Sequence, residues 1–233
     1  MRRLLLVTGS MSVLVLVAVF FLAPRGHANT GNGDNDERDE SRVKIGFEIA
    51  PVHLNLDGKD RELVGLGSYI VNGVADCNGC HSAGPMSEYV LPGGNPYFLS
   101  PPFSGRQQVN PTTYLGGGQD FGPLGSVPHL YSRNLTPDHT GLPEGGHTFP
   151  QFLQIMRQGT DFDHVHPNCT APNTPANCFE PPFNGDVLQV MPWPSFQSMT
   201  DHDLRAIYEY LKAVPCNPGP MIEGAPYLQN VCD

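Results

Sequence analysis

The sequence predicts an all-α domain whose helices are joined by long loops. Two stretches, 59–74 and 200–214, repeat apolar residues at helical spacing. The apolar positions are Leu63, Leu66, Ile70 and Val74 in the first stretch and Leu204, Ile207, Leu211 and Val214 in the second. A third, shorter helix is predicted over 149–158. Residues 82–126 are rich in Gly, Pro, Asn and Ser, and no series of β-hairpins is evident, so this region is predicted to form loops.

Residues that favour helix ends and close packing support the two long helices. Asp57 or Asp60 is suited to cap the first helix, and Thr200 to cap the last, because their side-chain oxygens accept hydrogen bonds from unpaired backbone N–H groups. Gly67 permits a close crossing of the two helices, in which Gly67 and Tyr69 are expected to meet Tyr208 and Leu211.

The segment Cys77-Asn78-Gly79-Cys80-His81 is the most informative one for function. Two cysteines three positions apart and followed directly by histidine have the spacing at which c-type haem is attached. Each thiol adds across one haem vinyl group, and the two small intervening residues let one tight turn reach both. His81 is then held under the iron as its proximal ligand. The sequence therefore predicts one covalently bound haem c.

Other functions of a Cys-x-x-Cys pair fit this sequence less well. A zinc site needs two further ligands at finger-like spacing, and no second Cys-x-x-Cys is present. A thioredoxin-type pair is expected in a βαβ context, which is not visible around residue 77. Covalent haem attachment is the better interpretation of the motif.

The N-terminus has the pattern of a secretory signal peptide, as expected because c-type haem is attached after export. Arg2 and Arg3 precede an apolar run over 13–23, and Ala28 ends a small-residue cleavage pattern. An uncleaved membrane anchor is the alternative, since the stretch from residue 4 approaches the ~20 residues that span a bilayer. We expect a periplasmic or exported protein, tethered to the inner membrane only if the segment is retained.

Composition divides the chain into three segments. Residues 1–28 are the predicted signal, and residues 59–233 form the predicted haem domain. Residues 29–58 between them are predicted to be a disordered acidic linker over 29–42, followed by a short strand or an arm lying on the domain over 43–56.

The chain is acidic. Its net charge is −10, and loss of the three arginines in the first 28 residues would make it −13. This charge argues against nucleic acid as a partner and suggests a basic docking surface on a protein partner. The alternative is that the charge serves solubility alone.

Four cysteines remain after haem attachment, and an even number in an exported protein predicts two disulfides. Three pairings are possible, and we favour the local one, Cys169–Cys178 with Cys216–Cys232, because it closes the shortest loops. A rival interpretation joins the first of these pairs with His164 and His166 in a metal site. No regular secondary structure is predicted to present those four residues together. Five histidines are expected at the surface: His139, His147, His164, His166 and His202.

Several further motifs resemble the monohaem domains of class I cytochromes c that serve bacterial membrane-associated alcohol, aldehyde and gluconate dehydrogenases. Residues 67–71 resemble the family's Gly-x-Tyr-Leu-Val, and residues 134–141 its Asn-Ile-Thr-Pro-Asp-x-x-Thr-Gly, one residue shorter. Residues 152–159 resemble its Phe-x-x-x-x-Arg-x-Gly, and residues 191–193 with 199–211 resemble its Met-Pro-Trp/Tyr and closing helix. The resemblance covers residues 59–215.

The resemblance implies a class I cytochrome c fold and an electron carrier rather than an enzyme. The implied donor is a dehydrogenase, and the acceptor a terminal oxidase or another cytochrome. The chain departs from the family in two ways. Dehydrogenase subunits often carry several haems, whereas this chain has one haem motif, and residues 161–190 form an insertion with no counterpart. The length and cysteines of this insertion suggest a docking element.

Met191 is the predicted second axial ligand. Electron-transfer haems commonly pair histidine with methionine, and class I cytochromes place this ligand shortly before the last helix. The competing methionines are Met86, Met156, Met199 and Met221, of which Met156 is expected to pack within its helix.

Two nearby side chains are candidates for contacts to the haem propionates. Trp193 can donate its indole N–H, and Arg133 can pair through its guanidinium. The alternative for both is an ordinary structural role.

The function predicted is therefore electron transfer by a His81/Met191-ligated haem. One alternative is a haem enzyme or a gas or redox sensor with an open or displaceable sixth ligand. Another is a fixed subunit that relays electrons inside a dehydrogenase complex.

Overall fold

The computed structural model describes residues 33–90, 94–97, 107–170 and 175–233. In chain order the helices are α1 (Gly33–Ile49), α2 (Arg61–Ser68), a π-helical extension (Tyr69–Val74), α3 (Cys77–His81), α4 (Pro143–Gly146), α5 (Phe149–Gln158), α6 (Trp193–Phe196), α7 (Asp201–Ala213) and a 3₁₀ turn (Pro226–Leu228). Within the described residues there are isolated β-bridges but no strand, which confirms the all-α class.

The predicted signal peptide, residues 1–28, lies outside the described residues. Among the helices that the structure describes, none is long and apolar enough to cross a membrane.

Contacts divide the chain into two units, Met1–Glu37 and Arg38–Asp233. Of the first unit only residues 33–37, the beginning of α1, are described. The second unit begins upstream of residue 59, where the haem domain was predicted to start.

Helix α1 stands where the sequence predicted a disordered linker and then a strand or an arm. Its apolar residues Val43 and Phe47 are one helical turn apart and pack against α2. Gly46 meets Gly65 so closely that an added Cβ would lie 1.9 Å from the Gly65 carbonyl oxygen, and Ser68 Oγ donates to the Gly46 carbonyl at 2.7 Å. Val43, Ile45, Phe47 and Ile49 alternate with other residues at the end of a polar segment, and this two-residue spacing does not predict a helix.

Helix α2 begins as expected, with Asp60 as its N-cap. The Asp60 carboxylate accepts hydrogen bonds from the backbone N–H groups of Glu62 and Leu63, at 2.9 and 3.3 Å. The helix continues into the π-helical segment, and only Ala75 and Asp76 separate that segment from α3. The first predicted helix therefore leads directly into the haem motif.

Helix α7 crosses α2 at Gly67. A Cβ at this position would lie 2.0 Å from the Ala206 carbonyl oxygen and 2.6 Å from Tyr210 Cβ. The close crossing is as predicted, and the atoms nearest to Gly67 belong to Ala206 and Tyr210 rather than to Tyr208 or Leu211. Helical periodicity fixed the buried face of α7 but not which of its residues meets the glycine.

The predicted ends of α5 and α7 are also observed. Thr148 forms a capping box with Gln151, and Gly159 ends α5 in the left-handed conformation. Thr200 Oγ1 accepts a hydrogen bond from the Asp203 N–H at 3.0 Å. The two local disulfides, Cys169–Cys178 and Cys216–Cys232, are both present.

Candidate functional site

The haem motif forms the short helix α3. Asp76, directly before it, has a left-handed φ of 47°, and an added Cβ at Gly79 would lie 2.7 Å from the Asp76 carboxylate. The left-handed residue marks a sharp change of direction between the π-helical segment and the motif. Cys77 is half-buried and Cys80 is exposed, and neither is in a disulfide. Burial, with the nearby charge of Asp76, raises the pKa of the Cys77 thiol to about 12.

The histidine of the motif is fixed by a backbone carbonyl. His81 Nδ1 lies 2.7 Å from the Arg133 carbonyl oxygen. A carbonyl only accepts, so Nδ1 carries the proton and Nε2 keeps its lone pair. Burial lowers the pKa of His81, which favours the neutral, metal-binding form. The acceptor lies 52 residues further along the chain than the histidine.

A cleft opens beside the motif. Both thiols, His81 and Met191 line it, so the structure brings together the four residues predicted to hold the haem. Its walls are largely apolar and come from the π-helical segment, α5, α6, α7 and the loop before α4: Val71, Phe152, Phe196, Ile207, Leu211 and Leu135.

Met156 also lines this cleft, although its position within a helix suggested packing alone. The other competing methionines are less suitable. Met86 and Met221 are exposed, and Met199 is half-buried against the core. Met156 and Met191 are therefore the methionines to compare by experiment.

The loop that carries Met191 is anchored on Gly159. The Leu188 N–H donates to the Gly159 carbonyl at 2.6 Å, and the Trp193 N–H donates to the Met191 carbonyl at 2.8 Å. An added Cβ at Gly159 would lie 2.4 Å from the Trp193 indole. Gly159, which ends the motif over 152–159, and Trp193, which ends the motif over 191–193, therefore position Met191 together.

A second cleft shares five lining residues with the first: Cys80, His81, Glu144, Met191 and Pro192. The insertion forms much of its wall, through residues that include Val165, His166, Phe179, Val187, Leu188 and Val190. The insertion thus borders the candidate haem site.

The two predicted propionate contacts have partners within the protein. Arg133 pairs with Asp161 at 2.9 Å and with Asp163, and Trp193 donates its indole N–H to the Leu188 carbonyl at 3.2 Å. Arg133 lines the second cleft. A contact of Arg133 or Trp193 with a haem propionate stays a prediction.

Two histidines expected at the surface are buried. His147 and His166 each expose 8% of their area. Both are held by backbone carbonyls, those of Glu144 and Asn177 respectively. No local pattern distinguishes them from exposed histidines, because tertiary contacts bury them. The rival metal site is not formed from thiolates, since Cys169 and Cys178 are joined to each other.

Glu144 is a site residue that the sequence analysis missed. It is 9% exposed, has a left-handed φ of 52° and lines both clefts. Burial raises its pKa to about 7, although the nearby His147 and Arg133 act in the opposite direction. It follows a proline in a short turn, and nothing in that local sequence signals burial.

The described residues fit a covalently attached haem. Two unpaired thiols, one histidine with a free Nε2 and the thioethers of Met156 and Met191 share an apolar cleft. This set contains the donors of a His/Met c-type haem, and the walls suit a porphyrin. The site therefore has the features of a c-type cytochrome.

Comparisons with known proteins agree with this class. The chain is 26% identical over 178 residues to the alcohol dehydrogenase (quinone) cytochrome c subunits of Gluconacetobacter polyoxogenes and of Komagataeibacter europaeus, covering 73% of this chain and 27% of each relative. It is 27% identical over 156 residues to the gluconate 2-dehydrogenase cytochrome c subunit of Pantoea cypripedii, covering 66% of this chain and 24% of that protein. No protein-family model and no solved structure matches the chain.

The similarity confirms the resemblance to cytochrome c subunits of alcohol and gluconate dehydrogenases. The chain spans about a quarter of the length of these relatives. The similarity supports an electron-transfer cytochrome.

Proposed function

We propose that this protein is a class I c-type cytochrome that carries electrons from a dehydrogenase to a respiratory acceptor. One haem c is bound through thioethers to Cys77 and Cys80, with His81 and Met191 as axial ligands. The observation that carries the proposal is the single cleft lined by both thiols, by His81 and by Met191.

The bound haem would supply a one-electron couple between ferric and ferrous iron. The protein's task is to hold the ligands so that little rearrangement accompanies electron transfer. The Arg133 carbonyl fixes the His81 ring, and Gly159 with Trp193 fixes the Met191 loop. Both iron ligands then belong to packed segments, which favours a carrier over a haem enzyme or sensor with an open sixth position.

Cys80 is the exposed member of the thiol pair, so the attachment edge lies where a redox partner can approach. The net charge of −10 favours a partner with a basic docking surface. By similarity we propose a dehydrogenase as donor, and an oxidase or another cytochrome as acceptor. We propose a periplasmic location, with residues 1–28 as the export signal; tethering to the inner membrane would require that this segment be retained.

The proposal is tested by visible spectra of the exported, haem-loaded protein in both oxidation states, with and without carbon monoxide. We expect a low-spin wild type that shows the weak long-wavelength band of methionine-ligated ferric haem and does not bind the gas. Met191→Ala should lose the band and bind carbon monoxide.

Met156→Ala is the matched control, because Met156 lines the same cleft from α5. It should keep the band and exclude the gas. A wild type that is high-spin or binds carbon monoxide readily would refute the carrier, and loss of the band in Met156→Ala alone would reassign the ligand.

A further inference from the structure

The disulfide-bearing insertion places a buried histidine with an unused nitrogen in the second cleft. His166 is 8% exposed and lines this cleft together with His81 and Met191. Its Nε2 atom is buried and has no hydrogen-bond partner among the residues that the structure describes. Because a buried polar atom without a partner is costly, it points to a partner other than the described residues.

The orientation of this histidine is built into the insertion. Its Nδ1 lies 3.0 Å from the Asn177 carbonyl oxygen, and its ring packs edge-on to Phe179 with the ring centres 5.5 Å apart. Asn177 has a left-handed φ of 58° and precedes Cys178, which is bonded to Cys169. The disulfide therefore holds the Asn177 carbonyl in place. Because this carbonyl accepts the proton of Nδ1, the Nε2 atom of His166 is left available for another partner.

The polar surroundings of His166 differ from those of the first cleft. The charged groups that face it are Arg133 and Asp161, and these are already paired with each other. The first cleft has the apolar walls that suit the porphyrin body, whereas the second combines His166, Glu144 and the paired Arg133. A haem that spans both clefts would direct its polar edge to the second.

We propose that His166 Nε2 hydrogen-bonds to a carboxyl group of the haem, so that the insertion is part of the cofactor site. This inference rests on the proposed function. The imidazole and the carboxyl share one proton, which lies between Nε2 and a carboxyl oxygen, and no covalent bond or electron is exchanged. The insertion would then hold the polar edge of the haem, as Cys77 and Cys80 hold its vinyl groups.

The test compares His166→Asn with His164→Asn, the same change two positions away in the same insertion. His164 has a side chain that is 58% exposed and a left-handed backbone that asparagine tolerates. We expect His166→Asn to keep the methionine band. Its reduction potential should differ from that of the wild type, and this potential should change less between pH 5 and 8 than the wild-type potential does. His164→Asn should match the wild type in both respects. A His166→Asn potential equal to that of the wild type throughout this range would overturn the proposal.

A second measurement covers the case in which the variant fails to fold or to take up haem. In the ferrous wild type, which is diamagnetic when low-spin, NMR should show an exchange-protected proton between His166 Nε2 and a haem carboxyl oxygen. It should also show cross-relaxation from the His166 ring to the methylene protons of a haem propionate. Absence of both signals would overturn the inference. A wild type without the methionine band would refute the proposed axial ligation instead, so the two failures are distinguishable.

Discussion

His81 Nδ1 lies 2.7 Å from the backbone carbonyl oxygen of Arg133. The contact joins the haem motif to a segment more than fifty residues further along the chain. Because the acceptor is a backbone atom, the side chain of Arg133 can be changed without removing it. The Arg133 side chain has a separate role, since it pairs with Asp161 and Asp163 at the border of the insertion.

Arg133→Gln should therefore lower stability while leaving axial ligation intact. The arginine and Asp161 side chains are 14% and 10% exposed, so the substitution leaves a nearly buried carboxylate without its partner. We expect a loss of about 3 kcal/mol in the free energy of unfolding. Urea titration measures the loss, and the methionine band reports the ligation.

Asp163→Asn is the control for this variant, because the Asp163 side chain is 47% exposed. It should cost less than about 1 kcal/mol. If Arg133→Gln abolished the methionine band at full stability, the arginine side chain would act on the iron ligands directly, contrary to the role given to its carbonyl.

Gly67→Ala should disrupt the crossing of α2 and α7. The new Cβ would lie 2.0 Å from the Ala206 carbonyl oxygen, and a backbone atom in a packed helix cannot easily move away. We expect a loss of about 3 kcal/mol or more in the free energy of unfolding. Thermal or urea unfolding of the haem-loaded protein measures it.

Gly73→Ala is the matched control in the same helical run. Its nearest contact would be the flexible end of Ile49 at 3.3 Å. The change should be neutral or slightly stabilising, because alanine loses less conformational entropy than glycine on folding. Equal losses for the two variants would contradict the close crossing.

Much of this architecture follows from the sequence because it is local. Asp60, Thr200 and Gly159 stand at helix ends where predicted, and the two disulfides join nearest neighbours. The haem motif and Met191 were recognised by spacing and context, and the structure places them on one cleft.

The features that the sequence analysis missed depend on long-range packing. Helix α1 is stabilised by the contact of Gly46 with Gly65, and His166 is buried by the loop that carries Asn177. The acceptor for His81 is likewise distant in sequence. None of these contacts leaves a periodic or local signal, so tertiary structure alone reveals them.

Gly159→Ala should weaken ligation by Met191. The residue has a φ of 70°, and an added Cβ would lie 2.4 Å from the Trp193 indole. Because Trp193 and the Gly159 carbonyl both hold the Met191 loop, displacing the indole should move the thioether. We expect a reduced methionine band and partial binding of carbon monoxide.

Gly141→Ala separates this effect from backbone strain. Gly141 has a similar φ of 74°, but nothing lies within 4 Å of an added Cβ. This variant should lose about 1 kcal/mol of stability from the left-handed conformation alone and keep the band. An unchanged band in Gly159→Ala would show that the glycine does not position the ligand loop.

Glu144 should make stability depend on pH. Burial raises its pKa to about 7, above the ordinary value of 4.5 that we expect in the unfolded chain. Well below pH 4.5 the carboxyl is protonated in both states and has no effect. As pH rises through 4.5 towards 7, the unfolded chain releases the proton first, so the folded state loses stability relative to it. Well above pH 7 the loss is complete, at about 3 kcal/mol.

Glu144→Gln should remove this dependence, because the amide mimics the neutral carboxyl at every pH. The difference in free energy of unfolding between Glu144→Gln and the wild type should therefore be small at pH 4.5 and grow until about pH 8, with the variant the more stable. Glu223→Gln, at an exposed site, is the control and should follow the wild type. A constant difference across this range would mean that Glu144 is not protonated in the folded protein at mildly acidic pH. The lowering of its pKa by His147 and Arg133 would then outweigh the raising of its pKa by burial.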